Sequence, residues 1–187
     1  MRNLKINGII IKRLNLFESD KIITVLSPSE GKVQFKAKNV RKITSHRISH
    51  MELLNLASFS VYKSNINSLP LAIEVNSVKT YSNIKSNLIK SNLSYHICEI
   101  VDSLLPMGSD NKNIFYLLEG VLDNLEKASD NFYSLIHDFE MKLLSDLGFS
   151  SPNLNLKGAK ASLFIENIIE KKLKSREIIK KINFNTF

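Results

Sequence analysis

At 187 residues, 43% of them hydrophobic, the chain can bury a sizeable core, which excludes a disordered tail and fits one compact unit or two small domains. Its single cysteine, Cys98, excludes an intrachain disulfide framework and a multi-cysteine zinc site, and it fits a reducing compartment, with the cytoplasm as the expected location. The formal net charge of +8 is polarised: residues 1–80 hold 13 Lys and Arg against 5 Asp and Glu, residues 81–150 hold 5 against 10, and residues 151–187 hold 8 against 3, which suggests nucleic acid or another polyanion as partner.

The N-terminal residues have no long apolar h-region and no apolar run approaches membrane-spanning length, so neither secretion nor membrane insertion is expected. Strands are predicted at Gly8–Arg13 and Lys21–Leu26, and Ser27-Pro28-Ser29-Glu30-Gly31 supplies a turn into a third. In that third strand Lys32, Gln34, Lys36 and Lys38 share one face at period two, with Val33, Phe35 and Ala37 on the other: one face packs and the other attracts anions. From Gly31 to Met51 the chain carries Lys32, Lys36, Lys38, Arg41, Lys42 and Arg47 with no acidic residue. Solvation alone is the competing account of such a face, and the abundance of Asn, Lys and Ile lowers the weight of any single lysine, so the argument rests on the clustering.

Two further strands are predicted at Ala57–Lys63 and Leu71–Val78, joined by the polar 64–68 turn. Five strands in 80 residues fit a small closed barrel, either an OB-fold or an SH3-like barrel.

After Tyr81 the period becomes helical. Ile84, Leu88, Ile89, Leu93, Ile97, Ile100, Val101, Leu104 and Leu105 form one stripe ending at Pro106. Asp110 is expected to cap a second helix through Leu125, and Asp130 a third that ends at Gly148. The tail from Ala159 reads as helical and basic, with a break near Ser175. The expected architecture is α+β: an N-terminal five-stranded barrel over residues 1–80, packed on a helical domain over residues 81–187.

Candidate catalytic chemistry is weak at each position. Asp138-Phe139-Glu140-Met141-Lys142 holds the residue types of a metal-dependent nuclease, but on a helix Glu140 and Lys142 lie about 200° apart, so solvated helix surface is the expectation. His46 and His50 have i, i+4 spacing, but no HExxH glutamate lies between them and no nearby cysteine or carboxylate pair completes a metal site, so they read as loop or phosphate-contacting histidines. Cys98, beside His96 among apolar neighbours, reads as a buried thiol. Gly31-Lys32 lacks the rest of a phosphate-binding P-loop. No catalytic residue, metal or cofactor is assigned. Nucleic-acid binding has more support, carried mainly by charge. Phe17, Phe35, Phe59 and Tyr62 are the nearby aromatics able to stack on bases, most of them expected in the core.

Several segments carry a family resemblance: Gly8-Ile9-Ile10-Ile11-Lys12; Glu18 to Ser27; Glu30-Gly31-Lys32; Ala37-Lys38-Asn39-Val40-Arg41-Lys42; Leu104-Leu105-Pro106; Phe139-Glu140-Met141-Lys142-Leu143-Leu144; Leu147-Gly148-Phe149-Ser150-Ser151-Pro152; and Leu173-Lys174-Ser175-Arg176-Glu177. In order and spacing they resemble the bacterial recombination mediator family RecO across nearly the whole chain. Two departures stand out. Many members carry a four-cysteine zinc element where 153–158 runs on without cysteine, so zinc is not expected. Asn39 stands where the family usually has glycine, and Asn tolerates the positive φ of that turn.

The resemblance implies an OB-fold DNA-binding domain, single- and double-stranded DNA as ligands, and strand annealing without covalent chemistry. It also implies action with RecR and single-stranded DNA-binding protein to help load RecA in recombinational repair. The DNA-binding residues expected are Lys36, Lys38, Arg41 and Lys42, with Lys12, Arg13, Lys32 and Arg47 as weaker members. Lys171, Lys172, Lys174 and Arg176 could receive the acidic C-terminus of a single-stranded DNA-binding protein, or form a solvated helix face. An RNA-binding OB-fold module and a protein-complex scaffold are the rival readings.

Overall fold

The structure, a computed structural model, describes residues 2–40, 49–63, 68–109, 111–149 and 160–184. The expected cap Asp110 lies outside the described residues, as does most of the polar turn after Lys63. The chain forms two compact units: Met1–Thr80 with Leu105–Phe115, and Tyr81–Leu104 with Tyr116–Phe187.

The first unit is built on five strands, β1 (Arg2–Leu16), β2 (Asp20–Ser27), β3 (Gly31–Ala37), β4 (Leu56–Lys63) and β5 (Leu71–Lys79). They close in the order β1-β2-β3-β5-β4, with β1 pairing both β2 and β4. The β3–β5 contact is parallel and the other pairings are antiparallel. This is the OB-fold barrel, and closure removes the open sheet edges that would invite aggregation. Alternation places Ile6, Ile10, Ile23, Val25, Phe35, Ala37, Phe59, Val61 and Val75 in one buried core. There the Phe35 and Phe59 rings meet with centroids 4.7 Å apart.

One irregularity controls how β1 is presented. Ile10 pairs with Val25 but Lys12 pairs with Thr24, leaving Ile11 as the extra residue of a bulge. A bulge shifts the alternation by one. Strict period two from Ile10 would aim Lys12 and Leu14 at the core. The bulge instead sets Lys12 and Leu14 opposite the outward residues Thr24 and Ile22, and sets Arg13 opposite the core residue Ile23.

The Leu105–Phe115 segment belongs to this unit through β3. Gly108 N–H donates to the Lys32 carbonyl at 2.9 Å, and Lys32 Nζ donates to the Leu105 carbonyl at 2.9 Å. Gly31 makes the approach possible. Its φ is +64, and a Cβ there would fall 1.8 Å from the Ser109 carbonyl oxygen.

The second unit holds α1 (Ser82–Ser86), α2 (Leu88–Leu104), most of α3 (Lys112–Lys127), α4 (Phe132–Asp146), α5 (Lys160–Ile168) and α6 (Lys174–Phe184). The single helix expected from Ile84 to Leu105 is two, because Asn87 is extended and its side-chain oxygen accepts the Lys90 amide at 3.0 Å, capping α2. Nor does Asp130 cap α4. Asn131 occupies that position in a left-handed conformation, with no side-chain cap bond. Carboxylates from elsewhere close two other N-termini. Glu126 accepts the Asn83 and Ile84 amides at 3.0 and 2.9 Å, and Glu99 accepts those of Lys174 and Ser175 at 3.1 and 2.9 Å.

Candidate nucleic-acid interface

The register assigns each basic candidate of the barrel to a side. Across β1, β2 and β3 the outward rows run Ile9–Leu26–Lys32, Lys12–Thr24–Gln34 and Leu14–Ile22–Lys36. At the first row the sheet is covered: Ile9, Leu26 and Lys32 are all buried. Lys32 does share the outward face with Lys36, but its ammonium is turned to the Leu105 carbonyl, so it does not belong to an anion-attracting surface. Periodicity reports which face a residue takes, not what covers that face.

Toward the other end the face opens. Lys36 is half-buried and Lys38 is exposed in the turn after β3. Lys12 is half-buried on the same face, beside Thr24, which accepts a 3.1 Å bond from Gln34. Arg13 departs from the expected group. On the core-facing side of β1, its Nη1 donates to the Met51 carbonyl at 3.1 Å. Arg41, Lys42, Arg47 and His46 lie outside the described residues.

Two residues outside the expected basic group define this open end: Asp20, which sequence reasoning left out, and Phe17, which it named among the aromatics able to stack on bases. Asp20, at the start of β2, pairs with Lys36 at 2.9 Å and accepts the Asn39 amide at 2.9 Å. The Asn39 amide and then Lys36 hold its carboxyl below the usual aspartate range. The stretch free of acids in sequence therefore has an acid beside it in space, delivered by the β2–β3 pairing. Asn39 takes φ 56, a left-handed state that Asn tolerates. The second residue is Phe17, at the β1–β2 connection with φ 52 and 80% exposure. Lys36 Nζ lies 5.5 Å from its ring centroid. Phe35 and Phe59 are fully buried, as expected.

His50 is occupied within the barrel unit. Its Nδ1 accepts the Ser77 amide at 3.3 Å and lies 3.0 Å from the Ser77 hydroxyl.

In the second unit the acidic candidate of α4 is not surface. Glu140 is 3% exposed and accepts from Ser162 Oγ at 2.6 Å and His96 Nε2 at 3.1 Å. The neighbouring Asp138 and Lys142 are exposed, so the three do not converge. His96 Nδ1 is 2.8 Å from Ser175 Oγ, which donates to Glu99 at 2.5 Å. This chain of polar groups explains the Leu173-Lys174-Ser175-Arg176 motif structurally. Leu173 is buried, Ser175 joins the network, and Arg176 pairs with Glu166. Arg176 thus departs from the expected basic partner surface, whereas Lys171, Lys172 and Lys174 are exposed. The break in the tail falls at 169–173, ahead of Ser175. Cys98 is buried, and burial followed by the nearby Asp102 charge pushes its thiol up to about 12, the reverse of an activated nucleophile. Among the described residues no group of three or more His, Cys, Asp or Glu could hold a metal ion, and no helix is long and apolar enough to cross a membrane.

Comparison with known proteins bears on the same elements. The family model described as Recombination protein O N terminal matches residues 1–81, and that described as Recombination protein O C terminal matches residues 85–155. The DNA repair protein RecO of Acetivibrio thermocellus is 27% identical over 150 residues, covering 80% of this chain and 59% of that protein. Its namesake in Dehalococcoides mccartyi is 29% identical over 147 residues, covering 79% and 57%. That of Caldicellulosiruptor bescii is 31% identical over 151 residues, covering 80% and 60%. The matches thus span less than two thirds of the length of these relatives. With the barrel and the helices that follow it each matched, the chain belongs to the RecO family of DNA repair proteins.

Proposed function

We propose that this protein is a non-enzymatic DNA-binding recombination mediator. It binds single- and double-stranded DNA through the barrel unit, anneals complementary strands, and with RecR assists the loading of RecA onto DNA covered by single-stranded DNA-binding protein in the cytoplasm. The observation that carries this reading is the open end of the β1-β2-β3 face, where Lys12 and Lys36 share the outward side and Lys38 follows in the next turn. Phosphate charge opposes the approach of two strands. A surface that neutralises it lowers the association barrier, and the released counterions make binding fade with salt. Annealing then needs no nucleophile and no metal. The exposed Lys171, Lys172 and Lys174 offer a separate basic surface to an acidic partner segment such as the tail of the single-stranded DNA-binding protein.

The test is annealing of complementary oligonucleotides, one strand precoated with single-stranded DNA-binding protein, across a salt series. Acceleration that fades with salt is expected. In the Lys12→Ala, Lys36→Ala, Lys38→Ala triple variant, the slope of log affinity against log salt for single strands should fall by about 2. A folded triple variant that anneals like the parent would overturn the assignment of these residues. Absence of annealing by the parent would overturn the mediator reading.

A further inference from the structure

Among the described residues no large hydrophobic side chain is more exposed than Phe17, at 80%. A bulky residue with φ 52 is an uncommon backbone state, and here it sets the ring at the tip where β1 turns into β2. The ring is not isolated on its surface. Lys36 Nζ stands 5.5 Å from the centroid, and Leu14, 45% exposed, lies in the same outward row as Lys36. Lys38 is exposed beyond the end of β3. An apolar, π-faced tip with the Lys36 ammonium, itself paired with Asp20 at 2.9 Å, beside it matches one kind of ligand well: a nucleotide whose base is unpaired, offering a flat apolar face beside a phosphate. A base inside a duplex has both faces covered by its neighbours and cannot take this contact without leaving the stack.

We infer that Phe17 stacks on an unpaired base of single-stranded DNA, with Lys36 and Lys38 holding the adjacent phosphates. The inference rests on the DNA-binding reading above and adds to it a preference for single strands that charge alone does not supply. It also assigns a direction to annealing. Two strands brought together on this face lose the Phe17 contact as their bases pair, so the same ring that captures the substrate favours departure of the duplex.

The experiment compares the parent, Phe17→Ala and Phe17→Trp by fluorescence anisotropy on three labelled ligands of equal length: an oligo-dT strand, an abasic strand and a duplex. Phe17→Ala should weaken oligo-dT binding by roughly ten- to a hundredfold and leave the abasic strand and the duplex unchanged, with the same salt dependence. Phe17→Trp should restore oligo-dT affinity. Because the natural chain contains no tryptophan, quenching of the introduced indole by oligo-dT but not by the abasic strand reports the stack directly. Unchanged oligo-dT affinity in Phe17→Ala, equal losses on all three ligands, or an unquenched indole would overturn the stacking role while leaving DNA binding in place. A parent protein that binds none of the three would instead overturn the DNA-binding reading on which it rests.

Discussion

Asp20 Oδ2 accepts the Lys36 ammonium at 2.9 Å while Asp20 Oδ1 accepts the Asn39 amide at 2.9 Å. One carboxylate therefore orders the turn after β3 and offsets the charge of Lys36, a cation proposed to meet phosphate. Replacing Asp20 by Asn keeps an oxygen for the Asn39 amide and removes the negative charge. DNA binding at low salt should tighten, modestly because solvent screens an exposed charge, with the gain vanishing at high salt. Equilibrium binding at two salt concentrations decides it, and equal affinities at low salt would mean that phosphate does not approach Lys36.

Lys32 and Lys36 belong to one strand face but should separate by assay. Lys32→Met leaves the Leu105 carbonyl without its 2.9 Å donor. It should cost about 1–2 kcal/mol of stability in urea unfolding, with DNA affinity preserved. Lys36→Ala should weaken DNA binding with little change in stability. The opposite pattern would contradict the side-chain placement.

Gly31 and Gly108 provide a paired test of close approach. Both have positive φ, +64 and +72, but a Cβ at Gly31 meets the Ser109 carbonyl oxygen at 1.8 Å, whereas at Gly108 nothing lies within 4 Å. Gly108→Ala should cost about 1–2 kcal/mol, the conformational term alone. Gly31→Ala should cost roughly 2–4 kcal/mol, because the overlap adds to that term. Denaturant midpoints of the two variants measure the difference, and equal losses would remove the steric contribution.

Glu99 should make the helical unit acid-sensitive. Burial by itself raises its carboxyl, but the hydroxyl and amide of Ser175, the amide of Lys174 and the neighbouring His96 outweigh burial and leave it below the ordinary value of 4.5. A depressed native value means that the unfolded chain takes up the proton first. The stability Glu99 contributes is therefore present above pH 4.5 and is lost as pH falls below it through the native value. Glu99→Gln should lower stability at neutral pH by about 1–2 kcal/mol and flatten the acid limb of a stability–pH curve. An unchanged acid limb would show that other carboxylates set it.

Cys98 should be silent toward thiol reagents in the native protein, since it is buried and its thiol is pushed up to about 12. Alkylation at pH 8 should proceed only on unfolding, so the labelling rate should rise with urea in step with the loss of helical signal. Rapid native labelling would contradict the packing around α2.

The barrel was legible because its strands alternate. Val33, Phe35 and Ala37 against Lys32, Gln34 and Lys36 is a period-two pattern, and β2 and β5 are bounded by turn residues. The candidate site was legible as a cluster of charge near a few aromatics, Phe17 among them, without its geometry. Lys12 and Arg13 are neighbours in sequence, yet the Ile11 bulge sends one outward with Thr24 and the other to the Met51 carbonyl. Glu140 reads as surface in a helical segment, yet it is buried because His96 and Ser162, 44 and 22 residues away, supply its donors.

Local physics, then, was enough for element type, the helical period after Tyr81, the buried thiol and the polarised charge, since each depends on residues within a few positions of one another. Tertiary structure alone decided which lysines face solvent. That depends on register, on a one-residue bulge, and on which distant segment lies over a strand. Lys32 goes to a carbonyl 73 residues away, Lys36 to an acid on the neighbouring strand, and Phe17 into water.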